Sequence, residues 1–204
     1  KDVDHKDGNP RNNSPSNLTV KSKHTNRTRK FTGGMLIKAL AKRQAQKFEE
    51  EMPEDAKTYR QFYRFAREQG LSHPEAVAAQ ASLESGHGKS ELALNQNNVL
   101  GIKVQREKEV EEQEAVSMPT VEYEDGKKKV IDANFRVFDD VRDSFKGYKE
   151  KTAHERYNKA KEAESAEQYL IEMQEAGYAT DPNYADKTID IMNRYSDYIS
   201  PRFK

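Results

Sequence analysis

The sequence predicts a mainly helical α+β protein, a helical domain with a small β lobe inserted in it, behind a short turn-rich head. Three observations carry this prediction. Apolar residues recur at steps of three and four in blocks punctuated by Gly and Pro, over 57–69, 73–85, 140–154, 164–176 and 183–197. Residues 99–138 lack that period and place Asp125-Gly126 between Val121-Glu122-Tyr123 and a run from Val130 to Phe138, a hairpin signal. Residues 1–30 are rich in Asn, Asp, Gly, Pro and Ser, the composition of turns.

The elements follow in order. Met35 to Glu50 carries Ile37, Leu40, Ala41 and Phe48 at helical spacing and predicts an amphipathic helix. Met52-Pro53-Glu54-Asp55 breaks it as a hinge. The next helix, Lys57 to Gln69, brings Tyr59, Phe62, Tyr63 and Phe65 and ends at Gly70. Ser72-His73-Pro74-Glu75 reads as a capping box, Ser72 accepting from the Glu75 amide and Glu75 reaching back. Pro74 suits a first helical turn, where its missing N–H costs nothing.

Val77, Gln80, Ala81 and Glu84 then share one helical face. Glu84 is thus a lone carboxylate at the end of an apolar helix, followed by Gly86 and Gly88. Gly86 ends the helix and lets backbone approach whatever Glu84 faces. Burial there raises the carboxyl pKa and makes a proton donor near neutral pH. The alternative is a helix-end acid turned out to solvent. Lys103 to Glu114 is highly charged and predicts an exposed loop or ribbon. Gly177 closes the helix over 164–176, and Asp181-Pro182 starts the turn into the last one.

Composition bounds the function. The 204 residues suffice for one full core and a small appendage. Without cysteine there is neither a disulfide framework nor a Cys-based zinc site. No apolar run approaches the length of a membrane span, and the polar first twenty residues show no secretory signal. The first residue is not Met, so the chain reads as a fragment or a processed product. Net charge is zero, but unevenly spread. Residues 1–50 hold 12 Lys and Arg against 5 Asp and Glu, and the rest hold 23 against 30. The basic part is either a polyanion-binding surface or a solvated arm.

Three groups of motifs go further. The first is Leu83-Glu84-Ser85-Gly86, Gly88-Lys89-Ser90 and Asn97 to Lys103. The second is Thr120 to Tyr123, Asp125-Gly126 and Phe135 to Phe138. The third is Gly177 to Pro182, Tyr184-Ala185 and Lys187. In this order, over 57–197, they resemble the glucosaminidase family of peptidoglycan hydrolases, which includes the flagellar rod-cap hydrolase and many autolysins. The resemblance implies a lysozyme-like helical domain with a β lobe over 57–204. It also implies endo-β-N-acetylglucosaminidase activity on the β-1,4 bonds of peptidoglycan glycan strands, with no cofactor. By position, Glu84 is the proton donor and Glu122 the second carboxylate that such hydrolysis uses. Tyr178 either lines the groove or packs under the last helix. Tyr123 stacks on sugar or packs across strands, and Asn98, like Asn97, orients substrate or holds a turn. His87 stands where the family often carries an aromatic such as Trp.

The head carries a second resemblance. Val3 to Pro10, Asn12-Asn13, Ser16-Asn17-Leu18 and Asn26 to Arg29 are similar to the HNH endonuclease motif of phage-borne nucleases. That implies a ββα-metal-like segment in which Asp4 and Asn26 hold a divalent ion such as Mg²⁺. His5 activates water and Asn17 orients His5. Lys21, Lys23, Arg27, Arg29 and Lys30 would meet phosphates. Only three residues precede Asp4, so no first strand is expected, and residues 1–30 read as an incomplete remnant that does not cut DNA. Residues 31–56 read as a linker helix and hinge. The pairing of the two resemblances points to a phage virion lysin acting in the host cell wall or periplasm, with other virion proteins as partners. Two alternatives stand beside it. One is a metal-dependent DNA nuclease with a wall-targeting domain, which alone brings nucleic acid in as partner. The other is a catalytically dead structural virion protein.

Overall fold

A computed structural model describes residues 2–21, 23–104, 115–124 and 127–199, with backbone alone for residues 2, 21 and 23–34. The predicted Asp125-Gly126 turn and most of the charged 103–114 loop lie outside the described residues. The chain divides into two units, Lys1–Met52 and Pro53–Lys204.

In the first unit β1 (Asp2–His5) pairs antiparallel with β2 (Leu18–Lys21), His5 opposite Leu18, and α1 (Lys23–Glu51) follows. The first strand therefore forms, against expectation. Its partner comes from later in the chain, so residues before Asp4 are not what it needs. Side-chain amides fix the intervening loop. The buried Asn17 donates to Asp7 Oδ1 at 2.9 Å and to the Asn12 carbonyl at 2.8 Å, and its Oδ1 accepts from the Asp7 amide. The helix starts near residue 23 and not at Met35, and Leu36, Ile37 and Leu40 on it stay exposed.

The second unit is helical. It contains α2 (Glu54–Glu68), α3 (Pro74–Ser85), α4 (Glu91–Gln96), α5 (Val141–Thr152), α6 (Asn158–Lys161), α7 (Ala166–Glu175) and α8 (Tyr184–Tyr195). Short 3-10 turns at Glu155–Tyr157 and Ser196–Ile199 complete it. α3 is its axis. The sequence predicts one apolar face there, yet every residue from Ala76 to Ser82 is buried. Four of those seven are alanines, which keep the helix thin enough to be covered on all sides. Around it, Phe62 and Phe65 of α2 meet the ring of Phe145 from α5 at 5.8 and 5.7 Å between centroids.

The predicted capping box does not form. Pro74 disfavours helical backbone at the residue before it, and His73 takes a left-handed conformation at φ 50° as N-cap. Its Nε2 reaches the Ala163 carbonyl at 2.9 Å, so α3 is tied to the loop before α7 instead. Elsewhere caps are side-chain built. Ser90, Asp140 and Ser165 accept from the first-turn amides of α4, α5 and α7.

β3 (Ala115–Glu124) and β4 (Lys127–Arg136) form an antiparallel ribbon, Glu122 opposite Lys129. Its base is bonded to the helical part. The Arg136 amide donates to the Ile102 carbonyl and the Val104 amide to the Asn134 carbonyl, both at 2.9 Å. Gly147 lets α5 close on this base, since a Cβ there would stand 2.8 Å from Phe138 Cζ.

Candidate active site

Between ribbon and helices lies a groove of about 1160 Å³, and both predicted carboxylates, Glu84 and Glu122, line it. Glu84 is in the last turn of α3. Gly86, at φ 55°, caps that helix, and the His87 amide returns to the Ser82 carbonyl at 2.8 Å. The close backbone approach predicted for Gly86 belongs to Gly101. A Cβ on Gly101 would lie 3.6 Å from Glu84 Oε2, whereas nothing lies within 4 Å of one on Gly86. Gly101 also holds φ 58°, a conformation that favours glycine.

The expected burial of Glu84 is not seen: its side chain is exposed and opens to water through the groove, although protein packs densely round it. That crowding raises its pKa. The charge of Lys151 and a hydrogen bond from the Tyr184 hydroxyl oppose the rise, and the charge of Glu122 adds to it. Behind Tyr184 runs a buried chain of hydrogen bonds. Tyr148 donates to Gln80 Oε1 at 2.6 Å, and its oxygen is 2.7 Å from that of Tyr169. The Tyr148 proton is spent on Gln80, so Tyr169 is the donor to Tyr148. Gln80 Nε2 donates to the Tyr184 oxygen at 3.1 Å, leaving the Tyr184 proton for Glu84. The glutamine amide is thereby fixed, and Tyr184 is set as a donor aimed at the carboxylate.

Glu122 has the opposite character. Burial pushes its pKa up, but bonds from Lys103 and from Thr180 Oγ1, the latter at 2.6 Å, outweigh it and hold the carboxyl below its ordinary value. One groove therefore carries a carboxyl biased towards its protonated form and another held ionised, the division of roles that acid–base chemistry at one bond requires.

The other predicted residues divide. Tyr178 is buried beneath the groove, its hydroxyl on the Leu100 carbonyl at 3.3 Å and its ring part of the groove wall, so it is both core and lining. Tyr123 lines the groove beside Thr180, and the Lys128 ammonium lies 5.8 Å from its ring centre. Asn98 does not reach the groove. Its Nδ2 donates to the carbonyls of Ile102 and Arg136 and its Oδ1 accepts from the Ile102 amide, each at 2.9 Å, so the whole amide is spent on a turn. His87 packs edge-on against Tyr195 at 5.5 Å. Sequence reasoning gave no role to Tyr184, Gln80, Thr180, Lys103, Gly101 or Lys151. The first five fall within or beside motifs already singled out, and Lys151 has no sequence signal at all.

In the head, His5 Nε2 lies 2.9 Å from Asn13 Oδ1, so Asn13 and not Asn17 holds the ring. Asn17 is occupied in the loop by Asp7 and Asn12. The side chain of Asn26, the expected partner of Asp4 at a metal, lies outside the described residues. Among the described residues no three His, Cys, Asp or Glu gather as for a metal ion.

Comparison with known proteins agrees with this geometry. The family model described as mannosyl-glycoprotein endo-beta-N-acetylglucosaminidase matches residues 59–197, which include both carboxylates. The chain belongs to this glucosaminidase family. A model for HNH endonucleases matches residues 1–28. Among curated glucosaminidase relatives, the peptidoglycan hydrolase FlgJ of Salmonella typhimurium is 37% identical over 138 residues, 64% of this chain and 42% of that protein. The exo-glucosaminidase LytG of Bacillus subtilis is 34% identical over 141 residues, 64% of this chain and 48% of that protein. The chain thus spans less than half the length of each. A crystal structure of a mutant peptidoglycan hydrolase from Sphingomonas sp. A1 superposes with a TM-score of 0.59 at 31% identity, over 70% of this chain and 94% of that one. The predicted lysozyme-like helical fold with a β lobe is therefore the one adopted.

The site also sets a pH test. A general acid works while protonated, so with Glu84 in that role activity would be present below its pKa and lost above it. The Tyr184 hydroxyl favours the ionised carboxylate and holds that pKa down. Tyr184→Phe keeps the ring and removes the bond. The alkaline limb of the pH profile of kcat/KM is expected to move to higher pH. An unmoved limb would leave Tyr184 a packing residue.

Proposed function

We propose that the chain hydrolyses the β-1,4-glycosidic bonds of bacterial peptidoglycan as an endo-β-N-acetylglucosaminidase. The observation that carries this reading is a pair of carboxyl groups on one groove, Glu84 opening into it from the end of α3 and Glu122 held there by Lys103 and Thr180. Glu84 donates its proton to the leaving glycosidic oxygen. Glu122, ionised and held by Lys103 and Thr180, supplies the second carboxylate. Tyr123 offers ring surface to the sugars, and Tyr178, buried with the Lys151 ammonium over its ring, supports the groove wall from beneath. The names of the Salmonella and Bacillus relatives, a peptidoglycan hydrolase and an exo-glucosaminidase, support the substrate.

The test is digestion of purified peptidoglycan, reduction of the products and mass spectrometry of the new reducing ends. Reduced N-acetylglucosamine is expected, with early shortening of long strands. Reduced N-acetylmuramic acid would replace the activity with that of a muramidase, and release from strand ends alone would make it an exo enzyme. Neither carboxylate uses a metal in this scheme, so the digestion is expected to keep its rate in EDTA.

The HNH-like match at residues 1–28 supports a phage source. In this reading the protein is a virion lysin that opens the cell wall locally during infection, and its head binds other virion proteins and cuts no DNA. Mass spectrometry of purified particles tests the location. Incubation with plasmid DNA and Mg²⁺ tests the head, and cutting that disappears in His5→Ala would overturn its assignment.

A further inference from the structure

Three cations of the groove, Lys128, Lys151 and Arg156, form no ion pair among the described residues, and of these Lys151 and Arg156 are near enough to repel each other. Lys103 is paired with Glu122, Lys187 with Asp181 and, across the wall, Arg136 with Glu150. Among the described residues Lys151 and Arg156 have no carboxylate within ion-pair distance. Each rests on an aromatic ring instead, the Lys151 ammonium 3.9 Å from the centre of Tyr178 and the Arg156 guanidinium 4.6 Å from that of Tyr157. Both line the groove, on the same side as His154, which follows α5.

The charges around Lys151 do not balance. Glu84 and Glu122 face it as acids, and Arg156 and Lys103 as cations. Partial burial lowers its pKa to about 8, so the ammonium is still largely charged at neutral pH. Glu122 is already spent on Lys103, and Glu84 must be protonated to act. Protonation of Glu84 takes away one of the charges that keep Lys151 an ammonium, so in the reactive state Lys151 and Arg156 face each other without a counter-charge, and a bound anion both relieves that repulsion and restores the Lys151 charge. Arg156 adds the planar fork that suits a carboxylate.

We propose that Lys151 and Arg156 form an anion subsite that takes a carboxylate carried on the muramyl side of the glycan strand, and so select peptide-bearing strands over neutral ones. The inference rests on the wall-hydrolase reading. A strand of N-acetylated sugars is neutral along its backbone. Its anions are the carboxylates of the stem peptides, or of the lactyl groups where the peptides are gone, and both sources hang beside the bonds this groove addresses.

The test uses the whole chain carrying Glu84→Gln, so that ligand is bound and not cut, with isothermal titration as readout. Four tetrasaccharides are compared: peptide-bearing, peptide-bearing with its carboxyls amidated, peptide-stripped with free lactyl carboxylates, and a neutral N-acetylglucosamine tetramer. The peptide-bearing ligand is expected to bind about tenfold or more tighter than its amidated form, a gap of ~1.4 kcal/mol or more. Adding Lys151→Met and Arg156→Gln is expected to collapse that ratio towards one, with thermal melting confirming the fold. Tight binding of the stripped tetrasaccharide as well would name the lactyl carboxylate as the group held, and loose binding would name the peptide. Equal affinity for acid and amidated ligands, or a ratio that survives the double substitution, would overturn the subsite while leaving the hydrolase reading intact. Failure to bind any of the four ligands would overturn both.

Discussion

Glu84→Gln is expected to lower the rate of wall hydrolysis by about a hundredfold or more, the usual weight of a positioned general acid. Glutamine has nearly the same shape and keeps an acceptor for the Tyr184 hydroxyl, so the Gln80–Tyr148–Tyr169 chain behind it stays satisfied. The substitution also suits the site electrostatically. Crowding already disfavours the charged form of Glu84, and a neutral amide removes that cost. Melting temperature is therefore expected to hold or rise while turnover collapses. Turbidity loss of purified walls measures the rate, and thermal unfolding measures the fold. A variant that keeps near-full lytic activity would remove Glu84 from the chemistry. One that loses activity and melts well below the parent would show that the substitution acted on the fold instead.

The place of Glu84 on the groove was legible because its signal is local. An apolar helix, a carboxylate at its end and two glycines lie within a dozen residues, and helical periodicity aims the side chain. What surrounds the carboxylate was not legible, because those residues meet only in the folded chain. Tyr184 is 104 residues beyond the Gln80 that orients it. Lys151 sits in a helix of mixed charge where nothing distinguishes it from Lys149 or Lys146. Asn98 failed for a different reason. An asparagine after a short helix can turn its amide to a ligand or to the backbone, and only the positions of Ile102 and Arg136 decide. The capping box failed by one residue of register, because the restriction that Pro74 places on His73 outweighs what Ser72 could gain as a cap. The first strand of the head failed because its stability was judged from the residues before it, whereas its hydrogen bonds come from Leu18–Lys21.

Glu122→Gln is expected to lower turnover by about tenfold or more, less than the loss at Glu84, because water or the substrate can share the task of a second carboxylate. The role of Glu122 depends on its charge. Lys103 and Thr180 both donate to it, and together they hold it ionised on the wall of the groove that Glu84 also lines. An amide cannot carry that charge, and it leaves the Lys103 ammonium without its counter-ion. Little stability goes with the change, since a partly exposed ion pair is worth roughly 0–1 kcal/mol. Glu124 is the matched control. It lies two residues along the same strand, exposed, paired with Lys129 at 2.8 Å, and it is not part of the groove lining. Glu124→Gln changes the net charge of the ribbon by the same amount and is expected to leave turnover within about twofold of the parent. The comparison therefore separates a carboxylate that acts on the substrate from a general effect of ribbon charge. Equal losses in the two variants would mean that the β-lobe carboxylate has been misplaced. A loss confined to Glu122→Gln, with KM little changed and kcat reduced, is the signature of a charge used in the transition state and not in binding.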